Sequence, residues 1–314
     1  MVTAAPISVS PALRRTSVLA DYTELVKPRV TLMVIITAAA GLYLGSLRSG
    51  ISPLNAQFLY TVIGMAAVTG GSSTLNQVLE RRTDALMPRT ASRPMAARRL
   101  SFAHGLVFGL LAIGGGSAFL AVTTNPITGM LTLLTAISYV AIYTPLKRIS
   151  MVATFVGAFP GALPPLIGWT AARGRIEWEA VALFAILFVW QFPHFEAIGW
   201  LYRDDYARAG IRVTAVASPG GRATAAQALF YAVLMLPVSL WPVLLGLSGW
   251  LYGAVAVILG GVYLWFTLRF TRITRDLPPA ASRKIARDLL KVSVVYLPLL
   301  LAAMMLDAKG KIFF

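Results

Sequence analysis

Asn76-Gln77-Val78-Leu79-Glu80-Arg81-Arg82-Thr83-Asp84-Ala85-Leu86-Met87-Pro88-Arg89-Thr90-Ala91-Ser92-Arg93-Pro94 follows a long apolar run. Asn76, Glu80 and Asp84 stand at four-residue steps, and Arg89 and Arg93 repeat the step. If the preceding helix continues to about Leu86, each step advances about 6 Å and turns about 400°. The three oxygen-bearing side chains then share nearly one face. Carboxylates at i, i+4 repel, so cations are expected opposite them; Arg81 and Arg82 project from other faces. Pro88 and Pro94 flank the two later arginines and stop the helix. An amide and two carboxylates offer the hard oxygens that suit Mg2+, an ion that keeps several waters and is commonly completed by substrate phosphate. Arginine forks match phosphate oxygens. The plainer reading is a solvated helix end with local ion pairs.

The rest of the chain decides where this helix end lies. Of 314 residues, 57% are hydrophobic and 13% charged, and the mean hydropathy is +0.73. A soluble domain carries about 25% charged residues. Nine apolar stretches, near 30–47, 55–75, 103–122, 127–145, 152–171, 179–199, 225–246, 250–268 and 291–306, are each long enough, or nearly so, to cross about 30 Å of hydrocarbon as a helix. The expected fold is therefore all-α and polytopic, with nine transmembrane helices in the lipid bilayer. The absence of cysteine excludes disulfides, thiolate metal sites and iron–sulfur clusters.

The net charge of +16 would suggest nucleic acid in a soluble chain. Here 23 of the 28 lysines and arginines, among them Arg14, Arg15 and Arg275, fall on the N-terminal side of a nine-span chain. The other 5, Lys311 among them, fall opposite. That bias puts the N-terminus in the cytoplasm and the C-terminus outside, and it accounts for the charge without a nucleic-acid partner. Residues 1–25, which lack a signal-peptide core, read as a cytoplasmic tail. Residues 26–314 read as one transmembrane domain. The lack of a clear transit peptide favours a bacterial inner membrane.

The chain has 12 carboxylates. Asp21, Glu24, Glu177, Glu179, Asp276, Asp288 and Asp307 read as solvated. Besides Glu80 and Asp84 there remain Glu196, Asp204 and Asp205. Tyr202-Arg203-Asp204-Asp205-Tyr206-Ala207-Arg208 supplies a second acidic cluster on the same side of the membrane. Adjacent helical residues diverge by about 100°, so one aspartate is open to a second metal while the other pairs with Arg203 or Arg208. Trp190-Gln191-Phe192-Pro193-His194-Phe195-Glu196 ends the sixth span, and ionisable groups within spans are functional by default. His194 is either a bundle histidine in a hydrogen bond or a haem-side or acid–base group, with Glu196 as its partner. Lys147, ending the fourth span, contacts phosphate or anchors its helix.

These motifs resemble the UbiA-type intramembrane prenyltransferases. The stretch from Asp84 to Pro94, YTPLKR (Tyr143 to Arg148), VGAFPGALPPLIGW (Val156 to Trp169), WQFPHF (Trp190 to Phe195) and WLYRDDYARAGI (Trp200 to Ile211) are similar to the branch that farnesylates protohaem. The resemblance covers roughly residues 21–306. It implies a nine-span bundle around a central cavity open to the cytoplasm, and transfer of farnesyl from farnesyl diphosphate to a vinyl group of haem B. Water completes the substituent, giving haem O for haem-copper oxidases. It further implies Mg2+ on Asn76, Glu80, Asp84 and Asp205, with Asp204 beside the last. Diphosphate falls to Arg89, Arg93, Lys147 and Arg203, and the haem side to His194. A downstream haem-modifying enzyme or a second copy of the chain is the implied macromolecular partner. Glu80 stands where many relatives carry aspartate, Thr154 where asparagine is expected, and Glu196 where an apolar or aromatic residue is usual. The rival readings are a prenyltransferase with a quinone-type acceptor, a cation-coupled transporter with acids near mid-membrane, and a haem-binding assembly factor without chemistry.

Overall fold

The computed structural model describes residues 17–274 and 277–309. Arg14, Arg15, Arg275, Asp276 and Lys311 lie outside the described residues. The chain runs as α1 (Val18–Leu25), α2 (Pro28–Ser49), α3 (Ala56–Asp84), α4 (Phe102–Thr123), α5 (Pro126–Ile137), a π-helical turn (Ser138–Tyr143) leading into α6 (Thr144–Leu146), α7 (Ala153–Arg173), α8 (Trp178–Leu201), α9 (Arg203–Arg208), α10 (Thr214–Ala217), α11 (Arg222–Leu244), α12 (Trp250–Phe270) and α13 (Pro279–Leu306). Among the described residues no strand forms, as expected where backbone groups must be satisfied within each segment.

Eight of these helices are long and apolar enough to cross a membrane. The expected fifth span is a helix of 21 residues, α7, but it is not among the eight. Pro160, Pro164, Pro165 and several glycines dilute its apolarity. The second span runs on to Asp84, well past the apolar run. The last helix begins at Pro279, twelve residues before its apolar segment. Large apolar side chains face outward, among them Leu111, Val122, Ile258, Trp265 and Leu306, a surface that a bilayer covers and water would not.

The boundary drawn at residue 25 falls at the end of α1 and separates from the membrane domain a helix that packs on it. In α1, Leu25 is fully buried against Val78 and Met95. Gln77 Nε2 donates to the Leu25 carbonyl at 3.1 Å, and Asp21 pairs with Arg99 at 2.8 Å. Asp21 is thus not a solvated tail residue. Nor is Glu177, which accepts from Arg173 at 2.7 Å and from Trp169 Nε1 at 2.9 Å. Those partners hold its carboxyl down at about 2, the Arg173 hydrogen bond foremost. Asp307 accepts from the Tyr252 amide at 2.7 Å.

The tightest crossing in the bundle joins α2 to α7. A Cβ on Gly168 would fall 1.8 Å from the Ala38 carbonyl oxygen, and one on Gly41 1.9 Å from that of Pro165. Small residues let backbones meet in this way. The contact fixes α7, whose other face lines the central cavity.

Gly168→Ala is expected to lower the melting temperature of the purified protein sharply, because overpacking costs about 1–3 kcal/mol and the obstacle is backbone. Gly114→Ala, where nothing lies within 4 Å, should be neutral or stabilising. Equal effects would contradict the crossing. The cysteine-free chain also permits a test of orientation. Ser92→Cys should react with an impermeant maleimide only from the cytoplasmic face and Ser52→Cys only from the other; the reverse pattern would overturn the assignment.

Candidate active site at the helix mouth

The end of α3 carries Asn76, Glu80 and Asp84 on one buried face, as their spacing requires; Glu80 is 6% exposed and Asp84 1%. Each acid meets a cation. Arg93 Nη1 donates to both oxygens of Asp84 at 2.9 Å. Lys147 pairs with Glu80 Oε1. Lys27 Nζ donates to Asn76 Oδ1 at 3.1 Å, while Asn76 Nδ2 donates to Glu80 Oε2 at 2.9 Å and to Thr144 Oγ1 at 3.2 Å. Lys27 sits just before α2 with a left-handed backbone, φ 47°. Burial, then the charges of Arg93 and Lys147, push its ammonium pKa down to about 8.

These groups line a pocket of about 170 Å3 together with Arg89, Arg212, Tyr143 and Tyr206. Five cations, Lys27, Arg89, Arg93, Lys147 and Arg212, thus face two carboxylates. The excess positive charge marks a site short of anions. Arg89 lies over the rings of Tyr202 and Tyr206 at 5.0 and 5.2 Å, so aromatic faces rather than a carboxylate steady its fork.

Pro145 lacks an N–H and crowds the preceding turn, and the chain widens there into the π turn Ser138–Tyr143. Such turns recur at functional sites. This one stacks Tyr139 on Tyr143 at 5.5 Å between centroids and sends Lys147 to Glu80. Behind the two tyrosines lies a larger, mainly apolar cavity of about 390 Å3, walled by Val34, Val68, Ala136, Pro164, Ile167 and Phe195 among others. Tyr139, Tyr143, Thr154, Tyr206 and Val213 line both spaces. A polar, cation-rich mouth therefore opens onto a greasy interior.

Not every side chain singled out in the sequence reaches this place. The Asp204 side chain is 71% exposed and lies 3.7 Å from Arg203. Asp205 pairs with Arg208. Neither acid lines the mouth, and Arg203 stacks instead on Trp200, 4.4 Å from its ring centroid. Their loop contributes Tyr206 and Arg212 in their stead. The turn of α9 sends Asp204 outward and leaves Asp205 on Arg208, while Tyr206 faces the mouth. His194 does not line the larger cavity. Its Nδ1 lies 2.8 Å from Ser293 Oγ on α13, and its ring stacks on Trp190. Gln191, Phe195 and Glu196 of the same segment do line it. His104 bonds to Ser101, the cap of its own helix. In the sequence Lys27 and Arg212 carry no signal beyond the positive charge of their side of the chain. Nothing in their spacing tied them to Asn76; the αL turn before α2 and the backbone bond from Arg212 N to the Lys147 carbonyl at 2.9 Å do so.

Among the described residues no cluster of three or more histidines or carboxylates forms a metal site. Mg2+ does not require one, since one or two carboxylates with substrate phosphate suffice. Glu80, Asp84 and the Asn76 amide oxygen are hard donors, and in this structure cationic side chains occupy them. That chemistry fits a divalent cation arriving with an anion.

A family model described as the UbiA prenyltransferase family matches residues 34–291. A protein named protoheme IX farnesyltransferase from Koribacter versatilis is 48% identical over 93% of this chain and 94% of its own length. Another of that name from Solibacter usitatus is 41% identical, covering 92% of this chain and 99% of that one. A solved structure described as concerning digeranylgeranylglyceryl phosphate synthase in membranes superposes with a TM-score of 0.74 at 16% identity, over 92% of this chain and 98% of the other. A UbiA homologue from Archaeoglobus fulgidus, described as bound to GPP and Mg2+, has a TM-score of 0.58 at 15% identity over 90% of this chain and 99% of that one. With the match running from α2 into α13, the chain belongs to the UbiA prenyltransferase family.

Proposed function

We propose that this prenyltransferase transfers the farnesyl group of farnesyl diphosphate to a vinyl group of haem B, with addition of water, giving haem O and diphosphate. The observation that carries the reading is the cation-rich mouth, with its two cation-held carboxylates, opening onto an apolar cavity. The names of the relatives supply the acceptor. Lys27, Arg89, Arg93, Lys147 and Arg212 would receive the diphosphate. Asn76, Glu80 and Asp84 would hold Mg2+, releasing the cations that now occupy them to the phosphates. The metal would neutralise charge on the departing diphosphate. The chain's own cations stabilise the same charge in a site that needs no reorganisation at the moment of reaction. The farnesyl tail and the reacting vinyl group occupy the larger cavity, where apolar walls shield the allylic carbon from stray water. Asp205 stands on the adjoining loop as the candidate for a second metal, with Asp204 and Arg203 outside it. His194, turned to Ser293, would support the bundle. The site faces the cytoplasm of a bacterial inner membrane, and residues 26–314 together with α1 act as one domain.

Membranes containing the protein, given haem B, farnesyl diphosphate and Mg2+, should yield a haem heavier by one farnesyl group and one water. EDTA should abolish it. Asp84→Asn should slow it by roughly 10²-fold or more, and Asp204→Asn should leave it nearly unchanged. Retention of farnesyl diphosphate binding without any haem product would move the acceptor to a quinone-type aromatic. Loss of that binding in the wild type would refute the prenyl-transfer reading.

A further inference from the structure

The larger cavity has a definite floor. It runs along α3 past Ser73, Ser72, Thr69 and Val68 and ends at Met65. From Asn76 at the mouth to Met65 is eleven residues of unbroken α-helix, a depth of about 16 Å at about 1.5 Å per residue. An extended chain of single bonds reaches about 3.5 Å for every three bonds. The twelve-carbon backbone of a farnesyl group therefore spans about 13 Å, which leaves room for the ester oxygen and phosphorus at the mouth. The sixteen-carbon backbone of geranylgeranyl needs about 17 Å before either is counted.

What lies beyond the floor differs from side to side. Met65 is buried and packs on Ala38, Leu120 and Ile167. Toward α5 and α7 the next layer is tied shut. Thr132 Oγ1 donates to the Thr128 carbonyl at 2.7 Å, Thr128 Oγ1 lies 3.1 Å from Thr170 Oγ1, and Asn125 Nδ2 donates to the Thr170 carbonyl at 2.8 Å. Toward α2 the layer is not filled. A second, narrow void, too tight to hold a water, lies between Ile35, Ala39 and Leu42 of α2 and Phe58 and Val62 of α3. Among the described residues Met65 alone lines both this void and the larger cavity. Its unbranched thioether side chain, of a kind suited to filling irregular gaps, is the partition between them.

We propose that Met65 fixes the length of the prenyl donor. Its side chain stops the hydrocarbon at the third isoprene unit; cut back, it would let the void join the cavity and admit a fourth. This rests on the function proposed above and adds to it the reason that the donor is farnesyl rather than a longer diphosphate. The void extends along α3 from Met65 to Phe58, about 10 Å, whereas one more isoprene unit adds about 5 Å. Thr69, one turn nearer the mouth in the same wall, gives the opposite control. A large ring there would raise the floor by about 6 Å and leave room for geranyl.

The test uses the intact protein in membranes with haem B and Mg2+, offered geranyl, farnesyl and geranylgeranyl diphosphates in equal amounts, and resolves haem products by mass. The wild type should make farnesylated haem in roughly tenfold excess or more over either other product. Met65→Ala should raise the ratio of geranylgeranylated to farnesylated haem by roughly tenfold or more, while Met65→Leu, which keeps the bulk, should retain the wild-type ratio. Thr69→Phe should shift the products toward geranylated haem. Where Met65→Ala fails to accumulate in membranes, Met65→Val carries the same prediction in smaller degree. Unchanged ratios in the shortened Met65 variants would overturn the proposal, as would a fall in all three products together, which is what a merely structural role gives. A wild type that uses geranylgeranyl diphosphate as readily as farnesyl diphosphate would also overturn it. A wild type that makes no prenylated haem from any of the three donors would instead remove the function on which the proposal stands.

Discussion

Two carboxylates at the end of one apolar helix govern the structure of the mouth. Buried acids one turn apart repel and are tolerated only with compensation. Compensation comes from three directions: Arg93 from the loop after α3, Lys147 from the end of the π turn, and Lys27, through Asn76, from the start of α2. Those three contacts draw the ends of three helices and a loop to one point. They also leave the site overall cationic, so an incoming anion finds partners already desolvated and aimed. The same ion pairs thus order the mouth in this structure and, in the proposed function, would supply its diphosphate-binding groups.

The apolar interior follows from the same geometry. The α2–α7 crossing is as close as two backbones allow because Gly41 and Gly168 present no side chain. Prolines within α7 line the cavity. The π turn widens the opposite wall and directs Tyr139 and Tyr143 between the polar and apolar spaces. A diphosphate held at the mouth then places any attached hydrocarbon chain inward. In the proposed function, differential stabilisation of the departing charge, the general requirement for catalysis, would fall to groups that the fold has already paired and buried.

Much of this was legible from the sequence because the signals were periodic. A four-residue step survives into the structure wherever the helix continues, so Asn76, Glu80 and Asp84 do share a face, with Arg93 reaching back to Asp84. Membrane spans were legible from apolar length, although α3 and α13 extend beyond their apolar segments because their polar turns find partners in loops. Adjacent acids were ambiguous by nature: Asp204 and Asp205 ride on a short helix whose rotation no pattern fixed, and neither lines the mouth. Lys27 and Arg212 were invisible as site residues because backbone turns, not side-chain spacing, bring them in. Glu196 and His194, two residues apart, illustrate the limit well. Their motif located the segment, but only helix packing decides that the glutamate meets Thr214 at the cavity wall and the histidine meets Ser293.

The central claim is that Glu80 and Asp84 exchange their side-chain cations for a metal that arrives with diphosphate. Equilibrium binding of farnesyl thiodiphosphate, which resists ionisation, measures this without catalysis. The account predicts that Mg2+ tightens binding to the wild type and that Glu80→Gln and Asp84→Asn abolish that dependence, while Lys27→Ala weakens binding with or without the metal. Binding indifferent to Mg2+ in the wild type, or an undiminished Mg2+ effect in both acid variants, would contradict it.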